Sequence, residues 1–184
     1  IEIGIPFSDP IAEGPVIQEA NLRSLAQGTT TDKVFELTKK LSGRVDTPLV
    51  YMTYLNVLFK YGYDKFLQNA KDAGISGVIV PDLPYEEKDE LQSVAEKYDI
   101  DVISLIAPTS EDRIKMIASD AKGFIYTVSS MGVTGMRNEI KTDLQSIVSH
   151  IKSVTDVPVA IGFGINKPQQ AKEFSAYADG VIVG

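Results

Sequence analysis

The sequence predicts an α/β fold built on a parallel sheet, closed as a (βα)8 barrel that is incomplete at both ends of this chain. Three observations carry this. Short apolar, β-branched runs alternate with helix-period segments along all 184 residues. The runs show no wet face, as strands buried on both sides of a parallel sheet should. Seven such runs occur, one short of the eight that close a barrel. An open doubly wound sheet is the alternative arrangement for the same alternation. Residue 1 already lies in a strand-like run and residue 184 at a strand exit. The expectation is therefore a single domain over 1–184, holding the second through eighth strands and lacking the first βα unit and the C-terminal helices.

Taken in order, the strands are expected at "IEIGI" (1–5), "PLVYMTY" (48–54), "GVIVPD" (77–82), "DVISLIA" (101–107), "GFIYTVS" (123–129), "PVAIGFG" (158–164) and "GVIVG" (180–184). Helices are expected at 15–27, 31–44, 62–73, 86–98, 111–120, 143–154 and 167–177, with a long loop over 130–142. Thr residues before "DKVFEL" and Ser110 before "EDRIKMI" offer N-caps with acidic first turns. Gly28, Gly74 and Gly180 stand where helices should exit through a left-handed residue. Asn166 and Pro168 suit the cap and first turn of the last helix.

Composition narrows the function. The chain is 43% hydrophobic and 23% charged, ordinary for a globular domain. Its formal charge of −7 disfavours nucleic acid as a partner, because phosphate neutralisation needs a basic surface. No apolar run approaches the roughly 20 residues of a membrane span, and no secretion leader is visible, a leader already removed being the alternative for a sequence without an initiator Met; a cytoplasmic location is the expectation. The absence of cysteine removes disulfides, thiolate nucleophiles and Cys-ligated zinc. The single histidine, His150, falls at a helix-surface position and is given no role. Any anion should be held by backbone N–H groups.

In a barrel, chemistry sits at the C-terminal ends of strands and in the loops that follow. Ile1, Ile3 and Ile5 alternate with Glu2 and Gly4, so an apolar face against helices would turn Glu2 to the opposite, inner face. A desolvated carboxyl there would suit proton transfer near neutral pH. An edge strand with its polar face in water is the competing reading. Ser8, Asp9 and Glu13 follow in a loop stiffened by Pro6, Pro10 and Pro15. Glu13 could pair with Glu2 across one pocket, or Asp9 and Glu13 could be solvated loop acids or first-turn helix acids. Glycine groups "GVTG" (132–135), "GFG" (162–164) and "VIVG" (181–184) follow strands in the last third, where barrels commonly build phosphate sites. "GFGINK" lacks the third glycine of a dinucleotide fingerprint, and no Walker lysine or nucleophile elbow is present. Tyr126 alternates with Phe124 along its strand and is either a core tyrosine or an inward-facing one.

Together, "IEIGIPFSDPIAEGPVIQ", "MTYLNV", "IVPDLP", "SSMGVTG" and "IGFGI" resemble the tryptophan synthase alpha subunit family, in order and over essentially the whole chain. The resemblance implies a TIM barrel that cleaves indole-3-glycerol phosphate by a retro-aldol step to indole and D-glyceraldehyde 3-phosphate. Glu2 matches the family's catalytic Glu. Glu13 matches its second acid, where the usual residue is Asp, and Tyr126 the tyrosine near the catalytic Glu. Met52, Ile79, Leu105 and Phe163 match the indole pocket, Gly135, Gly164 and Gly184 the phosphate glycines, and Thr134 the threonine of a mobile lid that contacts the second acid. The family works as an alpha2-beta2 complex whose pyridoxal phosphate belongs to the beta subunit, so no cofactor or metal is expected in this chain. Pro6, Asp9, Asn56 and Pro84 match segments near that partner. Glu13 in place of Asp leaves a rival: a catalytically weakened subunit acting mainly through partner binding. A sugar-phosphate isomerase-type barrel is a second rival, disfavoured because the opening motif places two acids and no Lys or His base.

Overall fold

A computed structural model describes residues 1–129 and 143–184. Two compact units are present. The first comprises Ile1–Ile11 and Pro15–Val102, the second Ala12–Gly14 and Ile103–Gly184. Each carries one four-stranded, all-parallel sheet.

In the first unit the order is β1 (Glu2–Gly4), α1 (Pro15–Ala26), α2 (Thr31–Ser42), β2 (Leu49–Met52), α3 (Leu55–Tyr61), α4 (Tyr63–Asp72), β3 (Ile75–Ile79), α5 (Lys88–Ala95) and β4 (Asp101–Val102), with sheet order β1-β2-β3-β4. Ile5, Leu49, Tyr51, Ile75 and Val78 turn one sheet face into a core shared with Val34, Phe35, Leu58, Phe66, Leu67 and Leu91 of the helices. Phe35 meets Tyr51, Tyr61 and Phe66 edge-on at 5.2–5.8 Å between ring centres, a geometry that adds about 0.5–1.5 kcal/mol per pair beyond burial. Thr30 Oγ1 accepts the Lys33 N–H and caps α2 as expected. Gly28 and Gly74 take positive φ at their helix exits.

The second unit runs β5 (Ser104–Ile106), α6 (Glu111–Ser119), β6 (Ile125–Val128), α7 (Leu144–Lys152), β7 (Val159–Gly162), α8 (Pro168–Phe174) and β8 (Gly180–Val181), with sheet order β5-β6-β7-β8. Ile114, Ile117, Leu144, Ile147, Val148, Ile151 and Phe174 are its buried helix residues. Ser110 and Asp143 cap α6 and α7 through their side chains. Asp179 ties this sheet to its helices: one carboxylate oxygen accepts the Val159 N–H and the other meets Lys152 Nζ, both at 2.8 Å. The lysine and the backbone donor hold its pKa below the ordinary value. His150 lies on α7 with Nε2 3.5 Å from Glu111 of α6, a helix-surface position as expected.

Four expectations are corrected. The run 101–107 is two strands, because the ladder breaks at the buried Ile103; β4 pairs with β3 and β5 with β6. Residues 55–61, for which the sequence suggested no element, form α3, which stops at Gly62 with φ +91°. Gly180 opens β8 and is not a left-handed helix exit. Lys167, not Asn166, is the N-cap of α8, and Gln170 Oε1 accepts the N–H of both. Among the described residues no helix is long and apolar enough to cross a membrane.

Candidate active site

Residues in register across a parallel ladder project from the same side, and alternate residues from opposite sides. In the first unit Glu2 registers with Val50 and Gly4 with Met52, while Met52 registers with Ile79. Ile5 and Tyr51 point into the helix-packed core, so Glu2, Met52 and Ile79 share the other face. This is the alternation expected from "IEIGI", although Ile1 itself stays half exposed. A Cβ placed on Gly4 would meet nothing within 4 Å, so there is open space beside Met52. Glu2 keeps accessible surface, yet the protein around its carboxyl desolvates it enough to push its pKa up.

In the second unit Leu105 registers with Tyr126, Tyr126 with Ala160, and Val128 with Gly162. Leu105, Tyr126 and Gly162 therefore share one face. Tyr126 is buried and packs edge-on against Phe163, 5.5 Å between ring centres. Phe163 and Gly164 both take positive φ, +71° and +73°. The turn after β7 thus places an aromatic ring beside Tyr126 and leaves Gly164 in a backbone conformation that side chains disfavour. Gly184 is exposed past β8. Glu13 belongs to this unit and is 7% exposed, so it is a buried carboxyl and not a solvated loop acid. Thr134 and Gly135 lie outside the described residues.

The sequence-predicted residues thus gather in two groups: Glu2, Met52 and Ile79 on one sheet face, and Leu105, Tyr126 and Phe163 on the other unit's. The partner-facing candidates all fall in the first unit. Asp9 accepts a hydrogen bond from Ser8, Phe7 next to Pro6 stacks on Tyr54 at 5.3 Å, and Asn56 and Pro84 are exposed. Three contributors escaped the sequence reading. Asp82 Oδ1 accepts the Leu55 N–H at 2.9 Å and caps α3 from 27 residues away; the acid between prolines in "VPDLP" was its one visible signal. Ser129 is completely buried and bonds the turn at Gly162 and Phe163. Gly162 is where Tyr126 needs space: an added Cβ would lie 2.3 Å from its hydroxyl and 2.5 Å from its ring carbons. Gly162→Ala should therefore destabilise the protein by about 1–3 kcal/mol, the usual cost of overpacking. Denaturant midpoints check this, and a wild-type value would refute the close contact.

Among the described residues no group of three or more His, Asp or Glu is placed to hold a metal ion. The first unit offers the Glu2 carboxyl on the sheet face of Met52 and Ile79, and the second a buried Glu13 carboxyl, the packed rings of Tyr126 and Phe163 and a glycine turn after β7. Carboxyls can transfer protons, and apolar and aromatic side chains commonly line small-molecule sites.

Comparison with known proteins agrees. Residues 1–184 match the family described as "Tryptophan synthase alpha chain". The tryptophan synthase alpha chain of Lacticaseibacillus casei is 53% identical over 184 residues, covering all of this chain and 69% of that protein. That of Caldanaerobacter subterraneus is 47% identical, with 100% and 70% covered. The solved alpha subunit of Campylobacter jejuni superposes with a TM-score of 0.88 at 42% identity, over all of this chain and 73% of the other. A structure described for the tryptophan synthase a2b2 complex of Pyrococcus furiosus gives 0.88 at 36% identity, with 100% and 74% covered. With the fold class of an α/β TIM barrel and this extent of identity, the chain belongs to the tryptophan synthase alpha chain family.

Proposed function

We propose that this chain performs the alpha reaction of tryptophan biosynthesis, the retro-aldol cleavage of indole-3-glycerol phosphate to indole and D-glyceraldehyde 3-phosphate. Family membership over the whole chain is the observation that carries it. The chemistry asks for a proton on indole C3, removal of the proton on the adjacent side-chain hydroxyl, and relief of positive charge on the indole nitrogen. One carboxyl can serve both proton steps in turn, provided it starts protonated. Glu2 suits this, because desolvation raises its pKa. After C3 is protonated, the Glu2 carboxylate takes the hydroxyl proton as the carbon–carbon bond breaks, and is ready for the next cycle.

Glu13, buried in the second unit, is read as the acceptor for the indole N–H, with Thr134 reaching it from the lid. Tyr126 stands at the reacting end. Met52, Ile79, Leu105 and Phe163 are read as the residues that take the indole, and Gly135, Gly164 and Gly184 as those that take the phosphate. Inorganic phosphate should therefore compete with substrate. The chain itself needs no cofactor for this chemistry; pyridoxal phosphate belongs to the beta partner. Incubation of the full-length protein with indole-3-glycerol phosphate should give indole and glyceraldehyde 3-phosphate in equal amounts, and release of neither would overturn the reading.

The beta subunit is read as the partner in an alpha2-beta2 complex, engaged through segments at Pro6, Asp9, Asn56 and Pro84, in the cytoplasm. The tryptophan synthase a2b2 complex of Pyrococcus furiosus supports such an assembly for that relative. Asp82 supports the same surface, because its cap on α3 fixes the turn that carries Asn56. Asp82→Ala should cost about 0.5–2 kcal/mol of stability, the usual loss of a helix cap, and weaken beta-subunit binding measured by titration calorimetry. Unchanged stability and affinity would remove Asp82 from this role. One observation favours a second reading: Glu13 stands where the family usually has Asp, which fits a subunit that binds its partner but turns over slowly.

A further inference from the structure

We propose that Ser129 is a positioning residue that locks the Gly162–Phe163–Gly164 turn in its left-handed conformation, and so aims the Phe163 ring and the Gly164 N–H at an aromatic, phosphorylated substrate. The inference rests on the reading above, in which Phe163 and Gly164 contact that substrate.

The turn needs holding. Phe163 has φ +71°, a region where the Cβ crowds the following carbonyl and which bulky side chains rarely enter. The other non-glycine residue with positive φ among those described is Asp99, whose short polar side chain tolerates it. An aromatic residue persists there only where its surroundings over-determine it, and such outliers cluster at functional sites. The surroundings here are specific. Ser129 Oγ–H donates to the Phe163 carbonyl. The Ser129 N–H donates to the Gly162 carbonyl at 3.0 Å. Two successive carbonyls of the turn after β7 are thus gripped by one residue at the end of β6. Tyr126, three residues before Ser129, packs edge-on against the Phe163 ring and fills the space that Gly162 leaves free. Ser129 has no accessible surface, so solvent cannot replace its hydroxyl bond. Alanine would keep the backbone bond to Gly162 and lose the hydroxyl bond to Phe163. The turn could then relax toward negative φ, swinging both the ring and the next amide.

The test uses the full-length protein with Ser129→Ala and Ser129→Thr. It reads kcat and KM for indole-3-glycerol phosphate, the dissociation constant of inorganic phosphate, and the thermal midpoint. Ser129→Ala should raise KM and the phosphate dissociation constant by about three- to tenfold, the range of one intramolecular hydrogen bond. It should leave kcat within about twofold, because the proton-transfer groups are elsewhere. Ser129→Thr, which keeps the hydroxyl, should recover most of the phosphate affinity. Phosphate binding by Phe163→Gly with and without Ser129→Ala supplies a second measurement. Glycine accepts positive φ without help, so the loss of the hydroxyl should matter less in that background.

Unchanged KM and phosphate affinity in Ser129→Ala would overturn the inference. So would equal losses in kcat and kcat/KM with a lowered midpoint and no recovery in Ser129→Thr, which marks a merely structural residue. An equal effect of Ser129→Ala with Phe at 163 and with Gly there would overturn it too. A wild type that releases no indole would sink the functional reading alone, since the phosphate series judges Ser129 without turnover.

Discussion

Glu2→Gln is expected to lower kcat for indole release by about 10²–10⁴-fold, the usual contribution of a general acid–base group, while KM changes little. The amide keeps the shape and polarity of the carboxyl but cannot deliver a proton to indole C3 or take one from the hydroxyl. Retention of more than about a tenth of the wild-type rate would remove Glu2 from the proton path. The same residue has a pH signature in stability. Desolvation raises its folded pKa above the ordinary 4.5, so the folded state binds this proton more tightly than the unfolded chain. The resulting stabilisation is complete below 4.5 and is lost as pH rises through the raised folded value. Above that value an ionised, partly desolvated carboxylate weakens the fold. Glu2→Gln should therefore gain stability relative to the wild type as pH rises through that folded value, and lose the gain in acid. A gap in denaturant midpoint that is independent of pH would contradict the desolvation account.

Glu13→Gln is the second large effect. Positive charge on the indole nitrogen develops after C3 is protonated, so a carboxylate facing it stabilises the transition state and intermediate more than bound substrate. Loss of one such electrostatic contact is expected to cost on the order of 10²–10³ in kcat with a small change in KM. A wild-type rate would exclude Glu13 from catalysis. Glu13→Asp separates the two readings of this position. If the loop has adapted to the longer side chain, Asp falls short of the nitrogen and activity drops. If the subunit is weakened by its Glu, Asp raises activity. Glu13 is buried, so either substitution also acts on packing, and thermal midpoints should accompany the rates.

Much of the fold was legible because its signals are local. Apolar runs between helix-period segments located the strands that β1 through β8 occupy, and Thr30 and Ser110 announced the helices they cap. What was hidden depends on contacts between distant segments. The break at Ile103 comes from which neighbour each half of the run pairs with, not from any breaker in "DVISLIA". Helix α3 begins where Asp82 can receive an N–H from another loop, and nothing near Leu55 reveals that. In the site, alternation along "IEIGI" placed Glu2 on the correct strand face, because period-two geometry is a property of the strand alone. Ile79 and Met52 joined it only once the register was known. Glu13, read from its neighbours, could as well have been a solvated loop acid; its burial is set by packing. Ser129 and Gly162 were quoted within motifs without roles, since a hydroxyl bond to a left-handed turn and a space cleared for Tyr126 have no signature in one dimension.

The central claim is that a protonated carboxyl at Glu2 delivers a proton to indole C3 as the carbon–carbon bond is prepared for cleavage. Mass spectrometry of indole released by the full-length protein in D2O tests it most directly. The account predicts one deuterium at C3 of each indole, formed in equal amount with glyceraldehyde 3-phosphate, and almost no product from Glu2→Gln. Indole released without deuterium at C3, or equally fast release by Glu2→Gln, would contradict it.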